Sequence, residues 1–246
     1  TSLNAISRGL GSDDDDDYAA FFLGRGLGFF RWGLVDQHFL QRGRIGRLFA
    51  AARELDEPLA FGVDENSALF VSGEQGEVVG ETGVLLLDLR KARFDRSDYL
   101  VEDARVSYLD DGDRVNLRTG RVEPASDTQR VRVGRHAYRS PAPVRRHAFS
   151  SYGVHDLMLR LVEGDPEYYA SDSASAFDPL FGHQVTLTIS RKPRVSRALR
   201  ARRAGEIRYT AVNFSLAIQR TNLDTCPLHE STQVLRPDPV ADAQLI

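Results

Sequence analysis

Apolar residues change their spacing several times along the chain, and each change marks an element. Residues 29–35 read as a turn into a short apolar strand. Over residues 41–55, Ile45, Leu48, Phe49 and Ala52 recur at helical spacing and predict an amphipathic helix with those four on its buried face. Asp56-Glu57-Pro58 ends that pattern. Residues 59–63 form a nearly continuous apolar run, expected of a strand covered on both faces. Asp64-Glu65-Asn66 breaks the run, residues 68–71 predict the next strand, and residues 84–89 another. Strand, helix and strand in this order predict an α/β sandwich.

The second half reads differently. Residues 99–109 and 114–117 alternate as a β-hairpin around the turn Asp110-Asp111-Gly112-Asp113. Residues 123–144 carry prolines and arginines and predict a loop or excursion. Residues 152–162 predict a helix with Val154, Leu157, Met158 and Leu161 inward. Residues 185–189 and 207–218 predict strands, and the basic segment 191–203 between them reads as a solvated loop, with contact to an acidic partner as the alternative. The tail after Asn222 shows no periodicity, and no internal repeat is visible.

Composition narrows the classes. With 246 residues, 41% of them hydrophobic, and a net charge of −3, the chain suits one sizeable globular unit, or one with a small appendage. Disorder is excluded by the apolar content. The near balance of 32 basic and 35 acidic residues argues against nucleic-acid binding by bulk charge. A single cysteine, Cys226, excludes an internal disulfide framework and a cysteine-rich zinc site. The six histidines lack ligand spacing, so no metal or other cofactor is expected. No apolar run is long enough for a membrane span. The acidic run at 13–17 reads as a solvated loop, since it lacks the spaced ligands and glycine turn of a calcium loop. The glycines of 24–28 are followed by no Lys-Ser/Thr pair, which argues for a tight turn over a phosphate cradle. The chain opens at Thr1 and shows no leader; the cytoplasm is the default expectation, with secretion left open.

Chemistry concentrates at residues 36–48. An apolar strand delivers Asp36, Gln37 and His38 to its end, and a helix follows with Arg42, Arg44 and Arg47 near its start. Strand ends facing helix starts are where α/β proteins bind ligands. Arginines at a helix N-terminus oppose the helix dipole, which suggests a bound anion; pairing with Asp36 is the alternative. Glu65 follows the next buried strand and can reach the same sheet edge as His38. A carboxylate beside an imidazole fixes its tautomer and stabilises imidazolium; a turn cap is the alternative role for Glu65.

The string Asp36-Gln37-His38-Phe39-Leu40-Gln41-Arg42-Gly43-Arg44-Ile45-Gly46-Arg47-Leu48, followed by Phe61-Gly62-Val63-Asp64-Glu65-Asn66-Ser67-Ala68, resembles the signature of the cyanophycinase family of serine peptidases. The resemblance weakens in the final third. It implies a class I glutamine amidotransferase-like three-layer sandwich, here without its N-terminal strands. The peptidase part would occupy residues 1–122, and a β-rich C-terminal extension residues 123–246. It further implies hydrolysis of cyanophycin, a polyaspartate with arginine branches, to β-Asp-Arg dipeptides by a protein that forms a dimer. By the same resemblance, His38 is the general base and acid and Glu65 its partner. Asp36 and Gln37 line the pocket, and Arg42, Arg44 and Arg47 hold substrate carboxylates.

The family's nucleophile elbow, Gly-Thr-Ser-Ala-Gly-Ala, is matched only loosely by Thr1-Ser2-Leu3-Asn4-Ala5, where Leu3 and Asn4 replace the small pair. Three readings stay open: Ser2 is the nucleophile of a diverged elbow, the nucleophile lies upstream, or Thr1 is an N-terminal nucleophile. Two rival functions also stand, another isoaspartyl or aspartyl dipeptidase and a non-catalytic binder of acidic peptides.

Overall fold

In β7 (Val101–Leu109), Ala104, Val106 and Tyr108 join one apolar cluster while Leu109 joins a second on the opposite face. A strand that feeds two cores must lie in a middle layer. A computed structural model, describing residues 2–8, 23, 26–94, 100–131, 147–164, 170–179 and 182–222, shows that layering throughout. The acidic run at 13–17, Gly24, Cys226, residues 132–144 of the predicted excursion and the tail lie outside the described residues.

Among the described residues, the middle layer is a ten-stranded sheet. Its main path runs from β1 (Leu34–Gln37) through β2 (Leu59–Val63), β5 (Val84–Asp88), β7 and β14 (Glu206–Asn222) to β12 (His183–Ser190) and β11 (Ser171–Asp178). Off that path, β6 (Arg93–Phe94) pairs with β7, and β13 (Arg197–Arg203) bridges β14 and β10 (Gln129–Arg130). β1 and β2 are parallel; the other strand pairs are antiparallel.

On one face lie α1 (Ser2–Arg8), α2 (Ile45–Glu54) and α3 (Gly153–Glu163). Ala5 and Ile6, Leu48 and Phe49, and Leu157 and Leu161 share one core with the sheet. On the other face sits a four-stranded sheet of β3 (Ser67–Ser72), β4 (Gln75–Gly80), β8 (Arg114–Asn116) and β9 (Arg121–Glu123). Val78, Val115 and Val122 of that sheet pack on Leu59, Phe61 and Leu86. Each of those larger side chains contributes about 1.5–3 kcal/mol by leaving water.

The chain is therefore mixed α/β with a sheet-dominated core, as the strand–helix–strand pattern predicts. The strands at 59–63 and 84–88 and the helix at 153–163 form where expected. Three expectations need correction. β7 and β8 are not a hairpin, since they belong to different sheets; the Asp110–Asp113 turn carries the chain from one to the other. The basic segment 191–203 is not all loop: Arg197–Arg203 pairs with β14, and Arg203 bonds Asp127. α2 begins at Ile45 and not at 41, because Gly43 holds φ +58, a left-handed value no α-helix passes through. As for the division at 122/123, β7 pairs with β14, so one sheet and one core draw on both sides of it.

Candidate functional site

β1 ends at Gln37, and the next residue, His38, adopts φ +47. A non-glycine residue in the left-handed region is held there by its surroundings and is frequent at functional sites. The holding groups are identifiable. The Phe39 N–H donates to the Val63 carbonyl at 3.3 Å, and Phe39 is fully buried. Its ring lies over Gly62, where an added Cβ would come within 2.3 Å of ring atoms, so glycine at 62 makes room for it. Asp64 Oδ1 then accepts from the N–H groups of Leu40 and Gln41 at 3.1 and 3.2 Å. Gly43 fits because a side chain there would strike the Phe149 carbonyl.

This loop and the end of β2 bring His38 and Glu65 together. His38 Nδ1 and Glu65 Oε1 are 2.8 Å apart, with the side chains 47% and 35% exposed. The neighbouring acids Asp64 and Glu65 thus divide the work: one buries its carboxylate to fix the loop, the other reaches the imidazole. If Nδ1 carries the proton toward Glu65, Nε2 is the basic nitrogen, which suits proton transfer at an accessible position.

The arginines divide as well. Asp36 is buried, and its carboxylate accepts from Arg44 at 3.1 Å and from Arg47 Nε at 3.0 Å. The Gln37 N–H adds a bond at 2.8 Å to Asp36, and Arg44 also donates to the Gln37 carbonyl at 2.7 Å. Of Arg42, Arg44 and Arg47, expected to hold an anion together, the last two thus pair with Asp36, the alternative open in the sequence. Two of those guanidinium groups therefore serve a buried carboxylate, whose charge would otherwise be left without a partner. Arg42 is exposed and, among the described residues, has no ion pair or side-chain hydrogen bond. Gln37 is exposed beside His38. Ser2 is the first residue of α1, a helix packed on α2.

Sequence reasoning missed two residues. Asp64 is one; its adjacency to Glu65 was the available clue. Tyr152 is the other. It precedes α3 with φ +55, and its N–H donates to the Leu40 carbonyl at 2.7 Å. Burial and the charges of Asp64 and Glu65 push its hydroxyl pKa up, so Tyr152 stays protonated beside the two acids. Nothing in the sequence brings residue 152 to residue 40. Among the described residues, no group of three or more His, Cys, Asp or Glu is placed to hold a metal, and no helix is long and apolar enough to cross a membrane.

Comparison with known proteins bears on this geometry. The chain is 31% identical over 121 residues to a cyanophycinase of Synechococcus elongatus, covering 46% of this chain and 38% of that protein. Under half of the chain is cyanophycinase-like. A cyanophycinase of Geminocystis herdmanii gives 32% over 119 residues, covering 45% and 44%, and one of Trichormus variabilis 30% over 125 residues, covering 48% and 42%. The matched region spans less than half the length of these cyanophycinases. No protein-family model matches the chain.

Proposed function

We propose that this chain carries the base-and-acid part of a cyanophycinase-type serine peptidase acting on β-aspartyl-arginine linkages. One observation carries the reading: an accessible imidazole, held in a left-handed turn at a strand end, hydrogen-bonded through Nδ1 to Glu65. A class I glutamine amidotransferase-like frame is consistent with the parallel β1–β2 pair that delivers both residues.

In the proposed reaction, Ser2 Oγ attacks the scissile carbonyl while His38 Nε2 takes its proton. The C–N bond breaks as His38 returns that proton to the leaving amine. Water then attacks the acyl-enzyme by the same route and releases the acid. Glu65 stabilises the imidazolium in each half. Ser2 at the first turn of α1 suits a nucleophile that begins a helix. Arg42 and Gln37 are the groups left to meet the free carboxylate of an isoaspartyl substrate, by a charge-assisted bond. The rival reading as an acidic-peptide binder loses Arg44 and Arg47 to Asp36.

The test is hydrolysis of β-Asp-Arg. We expect His38→Ala to lower kcat by about 10³-fold with the melting temperature unchanged, and Ser2→Ala to do the same. Wild-type turnover in His38→Ala would overturn the assignment. A panel of β-Asp-Arg, β-Asp-Leu and α-Asp-Leu separates the polymer-directed reading from a general isoaspartyl or aspartyl dipeptidase.

A further inference from the structure

β2 and β5 are paired so that Val63 lies opposite Val84 and Leu59 opposite Asp88. His38 and Glu65 lie past the Val63 end. At the Asp88 end, a cavity of about 580 Å³ is lined by Arg90, Arg105, Arg121 and Arg197, by Asp88 and Glu123, and by Asn213. Four guanidinium groups against two carboxylates leave it positive.

Three of the arginines are engaged. Arg90 holds Asp88 through two bonds of 2.8 and 2.6 Å, Arg121 lies 3.8 Å from Glu123, and Arg197 donates to the Val122 carbonyl at 3.0 Å. Arg105 is the exception. It is cross-strand from Asp88, whose oxygens Arg90 already occupies. Half-buried, it has no hydrogen bond or ion pair among the described residues. Arg105 therefore brings to the cavity wall a guanidinium fork that no described protein group occupies.

Asn213 is a second, separate observation. It lies in β14 where the register against β7 shifts between Ala211 and Phe214, and it takes φ +56. Bulges of this kind re-aim a side chain. Two serines tie down its backbone: the N–H donates to Ser107 Oγ at 2.9 Å, and the carbonyl accepts from Ser196 Oγ at 2.8 Å. Asn213 lines the cavity, and its side-chain amide has no hydrogen bond among the described residues.

We propose that this cavity is a second ligand site, remote from His38, that binds a small molecule through a carboxylate or phosphate oxyanion. Arg105 supplies the charged fork and Asn213 the adjacent amide donor. The volume lies in the range of small-molecule sites, and a guanidinium fork matches planar carboxylate or phosphate edges.

The experiment titrates succinate and, separately, inorganic phosphate into the full chain, following the amide resonances of Ser107 and Asn213. Saturable shifts at millimolar concentration with one anion or both are expected, and the tighter arm identifies the oxyanion. Arg105→Gln should weaken binding by about tenfold or more, the loss of one charged hydrogen bond. Asn213→Gly suits a positive φ and removes only the amide; it should weaken binding several-fold and serves if Arg105→Gln fails to fold. His38→Ala should leave the affinity unchanged. No saturable binding with either succinate or phosphate, or wild-type affinity in folded Arg105→Gln or Asn213→Gly, would overturn the proposal.

Discussion

Two corners of the molecule are built from the same residue types and reach opposite states. At the Asp110–Asp113 crossing, the carboxylates of Asp110 and Asp113 are closed into the interior. Asp113 accepts from the Asp110 N–H at 2.9 Å, the Ala125 N–H at 2.8 Å and the Thr210 hydroxyl at 2.6 Å. Asp110 takes Arg208 at 3.2 Å and the Tyr209 N–H at 3.2 Å. At the His38 corner, Asp36 and Asp64 are buried too, Asp64 bonded through Oδ1 alone, but His38, Glu65, Gln37 and Arg42 remain open to solvent. Carboxylates and arginines near one another are thus no mark of function by themselves. The mark is an ordered pair left accessible on top of a buried layer.

The strongest way to break this comparison is to remove the buried anchor. Asp113→Ala strands two N–H groups and a hydroxyl where the chain passes from the large sheet to the small one. Each of the three stranded groups costs about 1–3 kcal/mol, so a loss of roughly 3 kcal/mol or more is expected in denaturant unfolding. Under the proposed function, the folded fraction should turn over β-Asp-Arg as the wild type does. A loss below 1 kcal/mol would mean the crossing is as open as the His38 corner.

A pH series sharpens the contrast between two histidines. His155 packs edge-on against the rings of Tyr108 and Tyr152, at centroid distances of 4.7 and 6.2 Å. Burial lowers its pKa to about 4, against a smaller opposing effect from Asp156 and Asp64. The folded state therefore favours the neutral ring. Stability from this group is full above the unfolded pKa near 6.5 and is lost as pH falls from about 6.5 toward 4, by up to roughly 3 kcal/mol. Burial raises the pKa values of Asp110 and Asp113, which acts in the opposite sense at the acid end. The difference between wild type and His155→Leu, by denaturant unfolding at pH 7.5, 6 and 5, isolates the histidine. Equal pH slopes in the two would show an imidazole in contact with water.

How much of this was legible depends on what each segment faces. Strands 59–63 and 84–88 could be read because both faces are buried, which writes a continuous apolar run. β4 could not, since Gln75–Gly80 belongs to a small outer sheet and carries few apolar residues. β13 hid because its buried positions, Ala198, Leu199 and Ala201, sit among arginines, of which Arg203 meets Asp127 and Asp111, Arg197 a carbonyl, and Arg200 and Arg202 face solvent. The His38–Glu65 pair was legible because successive strands end at the same rim. Tyr152 was not, because a contact between a loop and a distant helix start leaves no trace in local spacing. The arginines were read as one cluster, since spacing cannot tell a guanidinium that holds a ligand from one that holds Asp36.

That last ambiguity sets the smallest and most discriminating test. Asp36→Asn keeps an acceptor oxygen for the Gln37 N–H and removes the charge that Arg44 and Arg47 hold. Both arginines retain solvent access, at 18% and 39% of the side chain, so water can replace part of what is lost. The expected cost is about 1 kcal/mol in denaturant unfolding. If the pairing is internal, kcat/KM for β-Asp-Arg changes by less than about tenfold, since neither arginine meets the substrate. A fall of 10²-fold or more, carried by KM, would return Arg44 and Arg47 to the substrate and make Asp36 their positioning residue. The His38 corner would then be one continuous binding surface, and the layer beneath it could no longer be called structural.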